Sequence, residues 1–179
     1  MALTNDRIAS NRDAAQLKLI SELIRDPYIN DPLQDMIIVS DSNFFNGDSQ
    51  VGIYRARNAA GPVGVVFMPV IAVGYNGPVT LAVGVTYAGT LTGVRVHMQS
   101  ETEGLGDNIH QDNSDWIQGF NGLSLGSVSL DGWALKSDGG EFDQLSGATI
   151  SPRGVIRAVK STLDYYDLYK QDLYKSVDE

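Results

Sequence analysis

The sequence predicts an α+β fold in which a twisted, mainly antiparallel sheet is flanked by helices. Runs of β-branched residues, separated by glycine-bearing turns, fill the middle of the chain from residue 36 to residue 99. Helical patterns precede and follow these runs, without the regular strand and helix alternation that builds a parallel sheet. At 179 residues, the chain is long enough to bury one sizeable core.

The first element is predicted to be an amphipathic helix from Asn5 to Arg25, which ends at Asp26-Pro27. Its apolar residues recur at spacings that suit one helical face: Ile8, Leu17, Ile20, Leu23 and Ile24. Extended runs follow at Met36–Val39, Val51–Ala56, Val63–Val73, Val79–Tyr87 and Val94–Gln99. Turns between the last three runs favour successive antiparallel strands. We therefore expect residues 1–35 to be an N-terminal helix and linker, and residues 36–179 to be the main domain.

Less regular elements are predicted between the sheet and the C-terminus. The segment Ser114–Phe120 suggests a short helix and Trp133–Lys136 a short strand. Ser151-Pro152 is typical of an N-cap followed by proline at the first helical position. The helix that starts there has an apolar face formed by Val155, Ile156, Val159 and Leu163. Its aromatic stripe, Tyr165–Tyr169, is expected to serve packing.

Composition and charge exclude several classes of function. Thirteen basic and 22 acidic residues give a net charge of 13 − 22 = −9, which repels phosphate backbones and argues against a nucleic-acid partner. Cysteine is absent, so thiolate metal sites, disulfides and cysteine nucleophiles are excluded. The only histidines, His97 and His110, have no partner at metal-ligand spacing. The sequence has no apolar segment long enough to span a bilayer, and its first residues do not resemble a secretion signal.

Thr149 stands out because its hydroxyl precedes a predicted helix start. The unpaired N–H groups and positive dipole end of a helix start attract anions. Ser146, Gly147 and Ala148 leave the threonine with little steric cover, and Arg153 or Arg157 could add hydrogen bonds to a phosphate. These residues alone indicate an anion site, and the alternative is an ordinary loop before a helix.

Two signatures resemble those of the FMN-binding domain family. Asp143–Thr149, DQLSGAT, resembles the flavinylation motif in which a flavin transferase joins FMN through its phosphate to the last threonine. Glu101–Asp107, ETEGLGD, resembles a second signature that lies beside the flavin. Glu103 stands where the family usually has proline, which frees one backbone angle and adds a carboxylate near the flavin.

The resemblance implies a role for each matching residue. Thr149 is the covalent attachment point, and Asp143 belongs to what the transferase recognises. The wall around the phosphate and ribityl chain is formed by Ser146, Gly147 and Ala148. The residues implied to line the flavin are Glu101, Thr102, Leu105 and Gly106, with Leu105 in apolar contact and Thr102 in a hydrogen bond. The fold implied is that of the FMN-binding domain.

Within this family the chain is most similar to the G subunits of Rnf electron-transport complexes, and more distantly to the C subunits of sodium-pumping NADH:quinone reductases. Lys136–Asp143 and Ser151–Val155 carry the closer similarity, and the resemblance extends over Val51–Leu163. It implies a carrier of covalent FMN without substrate turnover of its own, in an ion-translocating ferredoxin:NAD oxidoreductase. The implied partners are the other membrane and iron–sulfur subunits of the complex, and a flavin transferase for maturation.

The implied location is the periplasmic or outer face of the bacterial inner membrane, with this chain a soluble domain cut after its anchor. Two other functions stay open at this point. One is a non-redox module that holds a free anion or ligand at Thr149. The other is a flavin domain that acts as a terminal reductase for an external acceptor.

Overall fold

The computed structural model describes residues 2–175, with side chains described from residue 11 onward. Within these residues one sheet has five strands in the order β1-β2-β3-β4-β5, and every neighbouring pair is antiparallel. The strands are β1 (Met36–Val39), β2 (Val51–Asn58), β3 (Gly61–Val73), β4 (Pro78–Thr86) and β5 (Leu91–Met98). The predicted sheet is confirmed, with strand ends that differ by a few residues from the sequence pattern.

The sheet buries both of its faces. Successive side chains of a strand point to opposite faces, so Val65 and Phe67 of β3 belong to one buried cluster, and Val66 and Met68 to another. The register of β3 against β4 shifts between Phe67 and Val70. Burial on both faces explains why β3 reads as an almost continuous apolar run rather than an alternating one.

A helix covers each face of the sheet. Helix α2 (Ile150–Leu173) packs on the larger cluster, and the predicted apolar residues of this helix are all buried, as are Tyr165 and Tyr166. Helix α1 (Ala2–Leu23) contributes Ile20 and Leu23 to the cluster on the other face. Ile20 and Leu23 are therefore confirmed as contact residues, as is Ile24, although the helix ends at Leu23, two residues before the predicted end. Leu17 is only half-buried, and Ile8 lies outside the described side chains. In the described part of the chain, no helix has the length and apolar character needed to cross a membrane.

The first turn of α2 lies against the end of β3. A Cβ atom on Gly154 would come within 1.9 Å of the Val73 carbonyl oxygen. Only glycine permits this approach, because real Cβ atoms do not come so close to backbone oxygen. The start of α2 is thus held beside the turn that connects β3 to β4.

Two arginines from β2 hold the other end of α2. The buried Arg55 donates to the carbonyl oxygens of Leu173 and Lys175, at 3.0 Å each. Arg57 donates to the Tyr174 carbonyl at 3.0 Å. Asp35 forms ion pairs with both arginines. Cations at a helix C-terminus satisfy carbonyl groups that lack partners in the helix. Both ends of α2 are therefore fixed on the sheet.

The predicted strand Trp133–Lys136 is wrong. This region consists of two short 3-10 helices, Leu130–Gly132 and Lys136–Asp138, joined by residues of which only Leu135 forms a bridge, to Phe142. A Cβ on Gly140 would meet the Ala134 carbonyl oxygen at 2.1 Å, so the chain folds tightly back on itself here. The apolar run reflects burial of a compact loop. The short helix predicted at Ser114–Phe120 is present as the 3-10 helix Trp116–Phe120.

Candidate functional site

A cleft of about 300 Å³ opens at the start of α2. Three segments line it: the turn after β3, the loop after β5 and the residues that lead into α2. The lining residues are Tyr75, Glu101, Thr102, Leu105, Gly106, Gly147, Ala148, Thr149, Ile150 and Ser151. Both sequence signatures, which are separated by 35 residues (108–142) in the chain, therefore contribute to one cleft.

Thr149 occupies the N-cap position of α2, with φ −125° and ψ −28°. Its side chain makes no capping hydrogen bond and is exposed in the cleft. The prediction that Ser151 caps the helix is wrong, because Ser151 lies in the first turn and its hydroxyl donates to Glu101. The threonine hydroxyl is consequently free to bind or react.

The start of α2 also supplies donors to the cleft. In an α-helix the first N–H groups have no partner within the helix, and the aligned peptide dipoles add positive charge there. Ile150 and Ser151 carry such groups and both line the cleft, whereas Pro152 has no N–H. This geometry suits an anion next to Thr149.

The two arginines expected to assist an anion are placed elsewhere. Arg153 makes a bidentate pair with Asp138, at 2.6 and 2.7 Å. This hydrogen bonding lowers the pKa of the Asp138 carboxyl and raises the pKa of Arg153. Arg157 lines a different groove, beside Phe44 and Val73. The donors that the cleft offers to an anion are therefore backbone N–H groups rather than a guanidinium.

A tight turn within the DQLSGAT signature packs against the other signature. The Ala148 N–H donates to the Leu145 carbonyl at 3.2 Å, and Gly147 between them has φ 74°. Glycine adopts this left-handed conformation without steric cost. Leu105 packs over the turn so closely that a Cβ on Gly147 would lie 2.7 Å from Leu105 Cδ2. Leu105 therefore contacts the attachment segment and forms one apolar side of the cleft.

Both carboxylate oxygens of Glu101 are occupied by other parts of the protein. Oε2 accepts from Ser151 Oγ at 2.5 Å and from the Tyr75 N–H at 3.3 Å. Oε1 accepts from the Asn76 N–H at 3.1 Å. The neighbouring Thr102 Oγ1 accepts from Asn76 Nδ2 at 3.1 Å, which leaves its own hydroxyl hydrogen available to donate. Glu101 thus borders the cleft, while its carboxylate binds the turn after β3 and the first turn of α2.

Two of the predicted site residues do not line the cleft. Ser146 is exposed at the outside of the tight turn, and Asp143 lies farther back along the chain. Lys136 Nζ pairs with the Asp143 carboxylate at 2.5 Å, and the indole N–H of Trp116 donates to its carbonyl at 2.7 Å. An exposed carboxylate outside the cleft suits surface recognition better than cofactor contact.

Sequence reasoning missed three residues of the cleft. Ser151 was predicted only as part of a helix start, and neither Ile150 nor Tyr75 was predicted to belong to the site. The available signal was the position of Tyr75 in a Gly74–Gly77 turn, where a large aromatic side chain is not required for the turn itself.

The comparisons with known proteins bear on this cleft. The model of the FMN-binding domain family matches residues 74–164, which include both signatures. The G subunit of the ion-translocating oxidoreductase complex of Pseudoalteromonas atlantica is 39% identical over 177 residues, covering 98% of this chain and 82% of the relative. The corresponding G subunit of Pseudomonas aeruginosa is 40% identical over 171 residues, covering 95% and 80%. The chain belongs to the FMN-binding domain family.

The similarity of this FMN-binding domain to its relatives reaches beyond Val51–Leu163, since the alignments cover nearly the whole chain. Among solved structures, the crystal structure of Shewanella oneidensis NqrC aligns with a TM-score of 0.52 at 20% identity, covering 86% of this chain and 74% of that one. That similarity confirms the fold that the resemblance implied.

The cleft of this FMN-binding domain fits the cofactor in chemistry. Unpartnered N–H groups and a free hydroxyl at the start of α2 suit a phosphate, while Leu105, Ile150 and Tyr75 offer apolar surface to a flat ring. Gly147 and Ala148 between them allow a chain of atoms to approach the backbone. Ligand sites commonly combine a few placed polar groups with such apolar walls.

Proposed function

We propose that this FMN-binding domain is the electron-transfer subunit of an Rnf-type ion-translocating ferredoxin:NAD oxidoreductase complex, and that it carries FMN as a phosphoester on Thr149. The observation that carries the attachment is the free, exposed hydroxyl of Thr149 at the start of α2, in the cleft where the two signatures meet. The family match and the relatives among the G subunits support the electron-transfer role.

The protein's part in the chemistry is to hold and orient. FMN supplies the redox chemistry when it is bound. The N–H groups of Ile150 and Ser151 would hold the phosphate, and the small residues before Thr149 would let the ribityl chain pass. Leu105 and Ile150 would exclude water from one side of the ring. The link would form when Thr149 Oγ1 loses its proton and attacks the FMN phosphorus of a flavin dinucleotide supplied to the transferase, whose P–O bond to the departing nucleotide breaks. The product would then have the composition of protein plus FMN minus one water.

A covalent link suits a protein that works outside the cytoplasm. We place the domain on the periplasmic or outer face of the bacterial inner membrane, where a lost cofactor would not be replaced from a cytoplasmic pool. Its partners would be the membrane and iron–sulfur subunits of the complex, and a flavin transferase would load it. Asp143 is exposed and lies outside the cleft, as a residue recognised by that transferase should be.

The attachment is tested by co-expression with a flavin transferase, followed by intact mass measurement under denaturing conditions. Wild type should gain the mass of one FMN less one water, and Thr149→Ala should gain none. Ser137→Ala is the matched control, because it removes an exposed hydroxyl from the same region but outside the cleft; it should load like wild type.

Two outcomes would overturn the proposal in different ways. Flavin that stays covalently bound to Thr149→Ala would contradict the attachment residue. An unmodified wild type, beside a control protein that the same transferase loads, would contradict the covalent carrier and favour a module that binds a free anion or ligand at the start of α2.

A further inference from the structure

Tyr75 is an exposed aromatic residue in the cleft that belongs to neither signature. Its side chain is 70% exposed, although it lies in the short turn between β3 and β4. Two other large apolar side chains of the cleft are also exposed, Leu105 at 42% and Ile150 at 45%. Neighbouring exposed apolar side chains around a cleft mark a surface that a ligand covers.

The backbone of this turn is held from two sides. The Tyr75 N–H donates to Ser151 Oγ at 3.2 Å and to Glu101 Oε2 at 3.3 Å, while the Asn76 N–H donates to Glu101 Oε1. Ser151 itself donates to Glu101. A carboxylate that accepts several hydrogen bonds makes stronger bonds than a neutral acceptor would. The turn is thereby tied to both the signature loop and α2.

Two glycines leave room for the carboxylate that makes these bonds. A Cβ on Gly74 would lie 2.4 Å from Glu101 Oε1, and a Cβ on Gly106 would lie 2.7 Å from Oε2. Neither glycine has a left-handed φ, so conformation does not require glycine at these positions. Glycine is required at both positions because a larger residue would overlap the Glu101 side chain. The packing therefore fixes where this carboxylate lies.

We propose that Glu101 is a positioning residue that fixes Tyr75 as the aromatic wall of the cleft, against the isoalloxazine ring of the flavin. The inference rests on the proposed function for the identity of the ligand. Aromatic rings stack favourably when offset, and a side chain on a fixed backbone loses little freedom on contact. Glu101 acts through Tyr75 and Ser151, because its own oxygens are already bonded to them.

The first test measures how well the flavin ring is shielded. In FMN-loaded protein, with equal loading verified by mass, collisional quenching of flavin fluorescence by acrylamide reports solvent access to the ring. Tyr75→Ala should increase the quenching constant several-fold, whereas Tyr75→Phe, which keeps an aromatic ring, should leave it near wild type. Equal quenching in wild type and Tyr75→Ala would overturn the role of Tyr75.

The second test links Glu101 to Tyr75. Glu101→Gln replaces one acceptor oxygen with a donor and should raise the quenching constant toward that of Tyr75→Ala. The double variant should show no further increase, since both changes act on the same wall. Glu141→Gln, the same substitution at an exposed position outside the cleft, should behave like wild type. Additive effects of Glu101→Gln and Tyr75→Ala would contradict positioning.

A third measurement does not need the flavin. In unloaded protein, hydrogen exchange at the amide of Tyr75 or Asn76, whichever faces the new NH2 group of Glu101→Gln, should become about tenfold faster, as expected for the loss of one hydrogen bond. Ser151→Ala should do the same at Tyr75 and serves if Glu101→Gln fails to fold. Unchanged exchange in a folded variant would overturn the positioning role.

These measurements separate the inference from the function on which it rests. If wild type carries no flavin while the amides respond as expected, the proposed function fails and the ring-facing role of Tyr75 fails with it, but Glu101 still positions the turn. If wild type is loaded and neither amides nor quenching respond, the proposed function stands and this inference fails.

Discussion

Gly147 meets two separate demands of the cleft. Its φ of 74° lies in the left-handed region, and the space beside its Cα is filled by Leu105. For most other L-residues, alanine included, the backbone conformation alone costs about 1–2 kcal/mol. The contact with Leu105 adds a second penalty that depends on whether the leucine can move. The side chain allowed at position 147, two residues before Thr149, is therefore limited by Leu105 of the other signature.

We expect Gly147→Ala to lower both the thermal stability and the rate of flavin loading. The added methyl must move Leu105 or distort the turn before Thr149. Thermal unfolding followed by circular dichroism measures the first effect, and the time course of the mass gain measures the second. Adding Leu105→Ala should restore part of the loading rate, because it removes the contact but not the backbone strain.

Gly126→Ala is the matched control for this experiment. Gly126 has no left-handed φ, and no atom lies within 4 Å of the position its Cβ would take. Its substitution should change stability by no more than about 0.5 kcal/mol. Wild-type stability and loading in Gly147→Ala would show that the turn is not constrained as the structure indicates.

At the residue level, the sequence predicted those site residues that belong to a short motif. The signatures identified seven of the ten lining residues, namely Glu101, Thr102, Leu105, Gly106, Gly147, Ala148 and Thr149. They could not show that the Glu101 carboxylate is bonded to a distant turn, or that Arg153 is bound by Asp138. Such contacts join segments far apart in the chain, and residue type alone does not determine which polar groups meet.

The docking of α2 on β3 is the element-level contact that places Thr149. Gly154 lies where the helix touches the strand, so that an added methyl would overlap the Val73 carbonyl. Overpacking of a tight contact usually costs about 1–3 kcal/mol. Because the backbone of a paired strand cannot give way easily, the helix would have to move outward.

We expect Gly154→Ala to destabilise the protein by about 2–3 kcal/mol and to reduce flavin loading. Urea unfolding measures the loss as a lower midpoint at an unchanged slope. Gly119→Ala is the control, since Gly119 has open space around its Cβ position and should keep the wild-type midpoint. A wild-type midpoint in Gly154→Ala would mean that the helix can shift on the sheet at little cost.

Elements with a clear period were predictable, and irregular ones were not. The strands show β-branched runs between turns, and α2 shows a helical period, so both followed from the sequence. Trp133–Lys136 has the composition of a strand but forms part of a compact loop, because no neighbouring strand is available to pair with it along its length. Ser151-Pro152 has the composition of a helix start, yet the Ser151 hydroxyl bonds to Glu101 and the helix begins two residues earlier than predicted, at Ile150.

The molecule as a whole contains four buried or partly buried tyrosines, distributed over both faces of the sheet, whose ionisation opposes folding. Burial raises the pKa of Tyr174 to about 12 and the pKa values of Tyr54, Tyr165 and Tyr166 above the ordinary value. In the unfolded chain these phenols titrate near pH 10. Above that pH the unfolded state loses protons that the folded state still holds, so stability falls as pH rises.

We therefore expect stability to be fully retained below about pH 10 and to decline steadily as the pH approaches about 12. Urea unfolding at a series of pH values measures the decline, and tyrosinate absorbance shows whether ionisation accompanies unfolding. Tyr174→Phe should reduce the slope of the decline, because one phenol no longer titrates. A rise in tyrosinate absorbance larger than the other four of the eight tyrosines can account for, while the helix signal is intact, would contradict the burial of these hydroxyl groups.

The cleft is built from three stretches that are far apart along the chain and meet only after α2 has docked. A newly made chain that has formed its five-stranded sheet but has not yet docked α2 lacks this cleft. An enzyme that recognises the finished pocket would pass over such a molecule. Cofactor attachment would then be restricted to folded molecules. The flavin content of a preparation would therefore measure its fraction of correctly folded protein.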